Sequence, residues 1–223
     1  MELPEFKPSK RFLHDTTLPC LVAKVKNSKL PGVAAQHITQ FKDDPTCKIV
    51  FRGHDPTKIS SWQREMLEQL LQKNGLGNAV EEAMKEYETS PEWGGDFCAN
   101  LENEMRQKVK EQGMAAFITI YVIVIDEIER KVLISAGTTY DGNLDEHGIT
   151  IYSSEGRWRF DNADYFIHYE SDIHEAQESK KAEKWHKKWA AVFPLPEPAT
   201  PVEANGSILY GVWRYIKAKQ FER

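Results

Sequence analysis

The sequence predicts an α+β fold, with a mostly antiparallel sheet covered by three helices and a helical extension at the C-terminus. Two observations carry this prediction. Between residues 60 and 112 the apolar residues recur at helical spacing, whereas residues 117–169 are rich in β-branched and aromatic residues separated by short polar turns. Helices grouped before strands, rather than alternating with them, are typical of the α+β class.

The N-terminal part contributes two short predicted strands, at residues 18–26 and 47–52, which are expected to join the main sheet. Three helices follow. The first begins near Ser60 or Ser61 and ends at Asn74-Gly75, and the third begins near Ser90-Pro91. Their apolar faces are Trp62, Met66, Leu67, Leu70 and Leu71 in the first, Ala79, Val80, Ala83, Met84 and Tyr87 in the second, and Trp93, Phe97, Leu101, Met105 and Val109 in the third.

The main sheet is predicted to start with Phe117–Ile125, a run so apolar that we expect a central strand covered on both faces. Strands at Val132–Tyr140 and Ile149–Tyr152 follow. Strict alternation in Arg157–Phe160 predicts a strand with one face in water. Tyr165–Tyr169 is expected to extend the same sheet.

The C-terminal part is predicted to be helical. Residues 172–193 form a helix in which acidic residues come early and lysines late, as the helix dipole favours. Residues 194–206 contain four prolines and are expected to be an extended arm. We therefore expect a single domain at residues 1–193, with a final helix at 207–223 that packs back on it.

Composition and charge limit the classes of function. The net charge of -5 argues against general nucleic-acid binding and makes a basic protein partner, such as a toxin, electrostatically easier to accommodate. The longest apolar run is too short for a membrane helix, so we expect no membrane partner and a cytoplasmic location. The three cysteines lie far apart without a C-x-x-C motif, which fits a reducing compartment. The oligomeric state is not predicted.

The one compact group of acidic and histidine residues is Asp141, Asp145, Glu146 and His147, before Gly148. As a functional site it would be a metal or acid/base cluster, because carboxylates and histidine hold zinc or manganese. As a structural turn, its side chains would bond the backbone while Gly148 supplies a positive φ. We favour the structural interpretation, since adjacent strand residues point to opposite faces, and we predict neither a catalytic residue nor a cofactor or metal.

A resemblance follows from the order of the strand Lys48–Arg52, the segment Lys58-Ile59-Ser60-Ser61-Trp62-Gln63 and the turn Asp145-Glu146-His147-Gly148-Ile149. Over residues 47–168 the chain resembles a family of bacterial domains of unknown function that have a helical first half and an acidic-Glu-His-Gly-hydrophobic turn. Members often carry a tryptophan where this chain has Tyr140 and Asp141. The resemblance implies an α+β fold and a place beside polymorphic toxins, as presumed immunity proteins.

These observations favour a non-enzymatic protein-interaction domain, with toxin neutralisation as the leading case. The candidate interaction residues are Trp158, Phe160 and Trp213. A small metal-dependent hydrolase that uses His147 and the neighbouring carboxylates is one alternative, and a structural or scaffolding protein is another.

Overall fold

The computed structural model of the protein describes residues 3–13, 18–31, 45–89, 107, 110–111, 113, 117–137 and 148–190. Its described elements confirm the predicted α+β class. The strands are β1 (Lys7–Ser9), β2 (Cys20–Lys26), β3 (Thr46–Arg52), β4 (Thr119–Asp126), β5 (Lys131–Gly137), β6 (Ile149–Ser154) and β7 (Arg157–Asn162). The α-helices are α1 (Ser61–Leu71), α2 (Gly75–Thr89) and α3 (Ala163–Ala190), and Asn27–Lys29 forms one turn of 3-10 helix.

All seven strands form one sheet in sequence order, and each neighbouring pair is antiparallel except β3 and β4. A parallel pair needs a crossover connection, and the chain between β3 and β4 contains α1 and α2. Ser60 and Gln63 begin α1 with reciprocal hydrogen bonds, in which each side chain accepts from the other residue's backbone N–H.

One face of the sheet packs against α1 and α2. The predicted apolar residues of both helices lie there, with Trp62 and Met66 only partly buried. The strand residues that they meet are buried and come from the middle of the sheet. They include Ile49, Phe51, Ile123, Ile125 and Ile134.

The other face packs against the first half of α3 and the segment that follows β1. Phe166, Tyr169 and Ile173 of α3 form a buried cluster with Phe12 and Leu13 and with residues of the central strands. The second half of β4 is therefore covered on both faces, as predicted. A bulge between Ile120 and Val122 interrupts the first half, where Tyr121 is 47% exposed.

Three predicted bounds are wrong. Tyr165–Tyr169 does not extend the sheet, and α3, which contains it, begins at Ala163 rather than at residue 172. The side chain of Asn162 accepts a hydrogen bond from the Asp164 N–H, which caps the helix, and the apolar residues that follow recur at helical spacing. Gly75 begins α2 rather than ending α1, because the first helix already stops at Leu71.

The chain divides into two compact units, Met1–Ala176 and Gln177–Arg223. The first contains the sheet. In the second, the described residues continue α3, where Lys181 pairs with Glu178 at 2.5 Å and Lys187 with Glu183 at 2.7 Å. The predicted third helix is described only at isolated residues, and the proline-rich arm and the helix at 207–223 lie outside the described residues, as does the packing predicted for them.

Candidate functional site

The acidic turn that the sequence singled out lies outside the described residues, including Asp141, Asp145, Glu146 and His147. Its last residue, Gly148, is described and has a φ of +67°, the left-handed conformation that we predicted for it. Because the site residues themselves are not described, both the metal-binding and the structural interpretation of this turn stay predictions.

The aromatic interaction candidates on β7 lie on the α1–α2 face of the sheet. Phe160 is 8% exposed, and its ring centroid lies 4.8 Å from that of Tyr87 on α2. Trp158 is half-buried and packs against the same core. Core packing thus accounts for both side chains, although it does not test a role in binding. Trp213, the third candidate, lies outside the described residues.

A buried polar cluster that the sequence analysis missed occupies the carboxyl ends of the parallel strands. We call Arg52, Asp126 and Tyr169 the Asp126 cluster. Arg52 ends β3 and Asp126 ends β4 in the same register, and their side chains meet at 2.5 Å. The hydroxyl of Tyr169 donates to the same carboxylate oxygen at 2.7 Å. The cluster therefore ties α3 to the parallel pair.

The carboxylate of Asp126 is fully used by these contacts and by the turn that follows it. Its second oxygen accepts hydrogen bonds from the N–H groups of Ile128 and Glu129, at 2.9 and 3.1 Å. Burial, reinforced by the charge of Asp126, holds the pKa of Tyr169 well above its usual value. A carboxylate with four donors and a neutral phenol form a fixed structural contact with no acceptor position left for a substrate.

The side chain of Gln63 completes this end of the sheet. Its amide donates to the carbonyls of Arg52 and Ile125, at 2.9 and 3.3 Å. It thereby joins the start of α1 to both parallel strands. A Cβ at Gly53 would lie 2.8 Å from a carboxylate oxygen of Glu127, so a larger residue here would displace the end of that side chain.

One outward N–H of the β7 edge is bound by a side chain from α2. The carboxylate of Glu86 accepts from the backbone N–H of Phe160 at 3.0 Å and from the guanidinium of Arg159 at 2.8 Å. That N–H would otherwise be a free donor on an edge strand, the kind of group that invites pairing with another chain.

At the opposite edge, β1 covers only the first part of β2. Pro8 lies in the middle of β1 and has no N–H to offer to a further strand. However, β1 pairs with β2 only from Cys20 to Val22. Among the described residues, no strand pairs with this side of β2 from Ala23 to Lys26. Within the described part of the chain, the end of β2 is therefore a sheet edge without a pairing strand.

A groove of about 430 Å³ lies along this part of β2, and we call it the β2-edge groove. Its floor is apolar, from Val25 and Leu71, and three exposed lysines line it. Its complete lining is Pro4, Glu5, Lys24, Val25, Lys26, Lys29 and Leu71. A second groove of about 240 Å³, lined by residues that include Leu3, Phe6 and Ile59, opens beside α1.

The described residues contain no group of three or more His, Cys, Asp or Glu side chains that could hold a metal ion. None of the helices in the described ranges combines the length and apolarity needed to cross a bilayer. Both statements leave out the turn that contains His147.

The chain was compared with models of protein families, with curated proteins and with solved structures, and none of them matches it. The resemblance to toxin-associated domains therefore rests on the sequence features alone.

Proposed function

We propose that this protein acts by binding another protein, and that the β2-edge groove is its contact surface. The observation that carries the proposal is the end of β2, with which no described strand pairs on the outer side and which apolar side chains and three exposed lysines border. An unpaired strand edge offers backbone hydrogen bonds to an extended segment of a partner, and side-chain pockets beside it give specificity.

The contrast with the rest of the described sheet supports this choice. Glu86 binds the outward N–H of Phe160 on β7, and the outer side of β1 carries Pro8. At the ends of β3 and β4, the Asp126 carboxylate and the Tyr169 hydroxyl bond each other within the fold, and the Arg52 Nε is a buried donor without a hydrogen-bond partner among the described residues. In the groove, an exposed strand edge, apolar side chains and a positive local charge occur together, whereas the net charge of the whole chain is negative.

The chemistry of the groove refines the expectation drawn from net charge. A net charge of -5 favours a basic partner overall, whereas Lys24, Lys26 and Lys29 make the local charge of the groove positive. Neutralisation of a toxin is the specific case that the family resemblance suggested, and it rests on that resemblance alone.

The test is affinity capture from extracts of the native host with three forms of the full chain. One is the natural protein, and the second carries Lys24→Glu with Lys26→Glu in the groove. The third carries Lys85→Glu with Lys110→Glu, two exposed lysines outside the groove, and changes the net charge by the same amount. We expect a partner that the natural protein and the control retain and the groove variant loses. Identical capture by all three forms, including capture of nothing, would contradict the proposal.

A further inference from the structure

We infer that the β2-edge groove binds an extended acidic segment, which adds as an antiparallel strand beside Lys24 and Lys26 and continues the line of β1. The inference rests on the proposed function and specifies the chemistry of the partner. It follows from three features of β2, which are the direction of its backbone groups, the faces of its side chains and the local charge.

The backbone direction follows from one hydrogen bond. The N–H of Asn27 donates to the carbonyl of Pro45 at 2.9 Å, so the residue just after β2 faces β3. Backbone groups alternate in direction along a strand in an antiparallel ladder. Val25 therefore faces β3 as well, and the N–H and C=O of Lys24 point to the opposite side, toward the groove.

The pairing of β1 confirms this parity. Pro8 lies opposite Leu21 and has no N–H to donate, so the hydrogen-bonded pairs are Lys7 with Val22 and Ser9 with Cys20, and the even-numbered residues of β2 face β1. Lys24 is the next such residue beyond the end of that pairing. A segment that bonds to Lys24 would thus extend an antiparallel ladder that already exists on the same edge.

The side chains on the two faces of β2 predict the sequence of the segment. Lys24 and Lys26 lie two residues apart and share one face, about 6.5 Å from each other, and Val25 faces the opposite side, where Leu71 of α1 lies. Residues opposite each other in a ladder share a face. The segment should therefore read acidic–apolar–acidic, with its carboxylates beside the lysines and its apolar residue over Val25.

Local charge favours acids over other polar residues. Lys24 lies directly opposite Lys48 on β3, and like charges in such a pair repel each other. The acid in the groove lining, Glu5, already pairs with Lys7 at 3.4 Å. A carboxylate next to Lys24 would offset the repulsion between the two lysines.

The decisive experiment selects short peptides from a random display library on the full-length chain. The expected result is enrichment of the acidic–apolar–acidic pattern, with affinity that falls as salt concentration rises. Selected peptides should bind the Lys24→Glu/Lys26→Glu variant about tenfold more weakly or worse, and should bind the Lys85→Glu/Lys110→Glu control normally. A Lys24→Arg/Lys26→Arg variant should keep binding, which separates loss of charge from misfolding.

Backbone pairing has its own matched test. In an antiparallel ladder, the acidic residue opposite Lys24 turns its N–H toward β2, whereas the apolar residue after it turns its N–H away. Methylation of the first nitrogen should abolish peptide binding, and methylation of the second should not. Equal effects at both positions would show that the segment does not add as a strand.

Other results would overturn the inference. These are selection of peptides without the acidic pattern, selection of none, or concentration-dependent self-association of the chain that the groove variant abolishes. The last would mean that a second copy occupies the edge. If peptide selection fails in any of these ways while capture of a host protein still depends on Lys24 and Lys26, the proposed function stands and the acidic strand is wrong.

Discussion

Two arginine–carboxylate pairs in this protein use the same chemistry in opposite surroundings. Arg52 pairs with Asp126 between β3 and β4, and Arg159 pairs with Glu86 between β7 and α2. In both, the carboxylate also accepts backbone N–H groups. The side chains of the first pair are 12% and 0% exposed, whereas those of the second are 36% and 37% exposed. Water can replace the partner in the second pair but not in the first.

The difference in burial separates two roles. The Asp126 cluster fixes the ends of the parallel strands and binds α3 to them, so its loss should affect the whole fold. Glu86 occupies the outward N–H of an edge strand, so its loss should affect mainly what that edge can contact. Variants of the two pairs should therefore differ both in the size and in the kind of their effect.

The largest effect is expected for Asp126→Ala. The change leaves the charge of Arg52, in a largely buried site, with only the 3.7 Å contact to the half-exposed Glu129, and it frees the N–H groups of Ile128 and Glu129. Removing one member of a buried pair costs about 3–5 kcal/mol, which is a large part of the stability of a domain. Urea unfolding followed by circular dichroism measures the loss. A cost below about 1 kcal/mol, which is typical of exposed pairs, would show that Asp126 is not buried as described.

A smaller effect is expected for Tyr169→Phe. This variant keeps the ring in the cluster of Phe12 and Phe166 and removes only the hydroxyl that donates to Asp126. A hydrogen bond to a charged group contributes about 1.5–3 kcal/mol. The free energy of unfolding should fall by that amount, and the Asp126→Ala/Tyr169→Phe double variant should lose less than the sum of the two single losses. Additive losses would mean that the hydroxyl does not contact the carboxylate.

The alkaline pH dependence of stability should come from buried groups. Burial raises the pKa of Cys47 from 9.0 to about 12, and burial with the charge of Asp126 raises that of Tyr169. Above pH 9 the unfolded chain releases protons that the folded chain retains, so the free energy of unfolding falls as pH rises. The stabilisation is complete below pH 9, and at pH 10 Cys47 alone should have lost about 1.4 kcal/mol.

Unfolding curves between about pH 7 and pH 11 test this expectation. The Cys47→Ala variant should have a flatter pH profile than the natural protein, whatever its absolute stability. The Tyr169→Phe variant should flatten the profile only near and above pH 10. Profiles that run parallel to that of the natural protein would show that neither group causes the dependence.

The sequence predicted the elements better than it predicted the polar contacts between them. Leu67, Leu70 and Leu71 of α1 are buried as their spacing indicated, because periodicity records which side of a helix meets the core. The aromatic residues of Tyr165–Tyr169 predict a strand because such residues are common in strands, but the cap from Asn162 starts a helix before them.

The Asp126 cluster could not be predicted from the sequence in the same way. Arg52 and Asp126 are 74 residues apart, and Tyr169 is 43 residues beyond Asp126. Only the strand register and the position of α3 bring these residues together, and neither can be predicted from a local sequence pattern. For the groove a signal did exist. The alternation Lys24-Val25-Lys26 indicates a strand with a basic face, but its place at an uncovered edge depends on how far β1 extends.

The smallest effect on stability, and the one that tests the role of an edge, is expected for Glu86→Ala. The variant removes the acceptor of the Phe160 N–H and the partner of Arg159, but both groups can turn to water because the pair is half exposed. The loss of unfolding free energy, measured in urea, should be well below that of Tyr169→Phe.

The uncovered N–H should instead promote edge-to-edge pairing, seen as concentration-dependent dimers in analytical ultracentrifugation. Glu86→Gln, which keeps an acceptor for the N–H and removes the charge, should stay as monomeric as the natural protein. If Glu86→Ala destabilises the fold as much as Asp126→Ala and causes no association, then Glu86 stabilises the fold and does not prevent pairing at the sheet edge. The contrast between the two pairs would then be wrong.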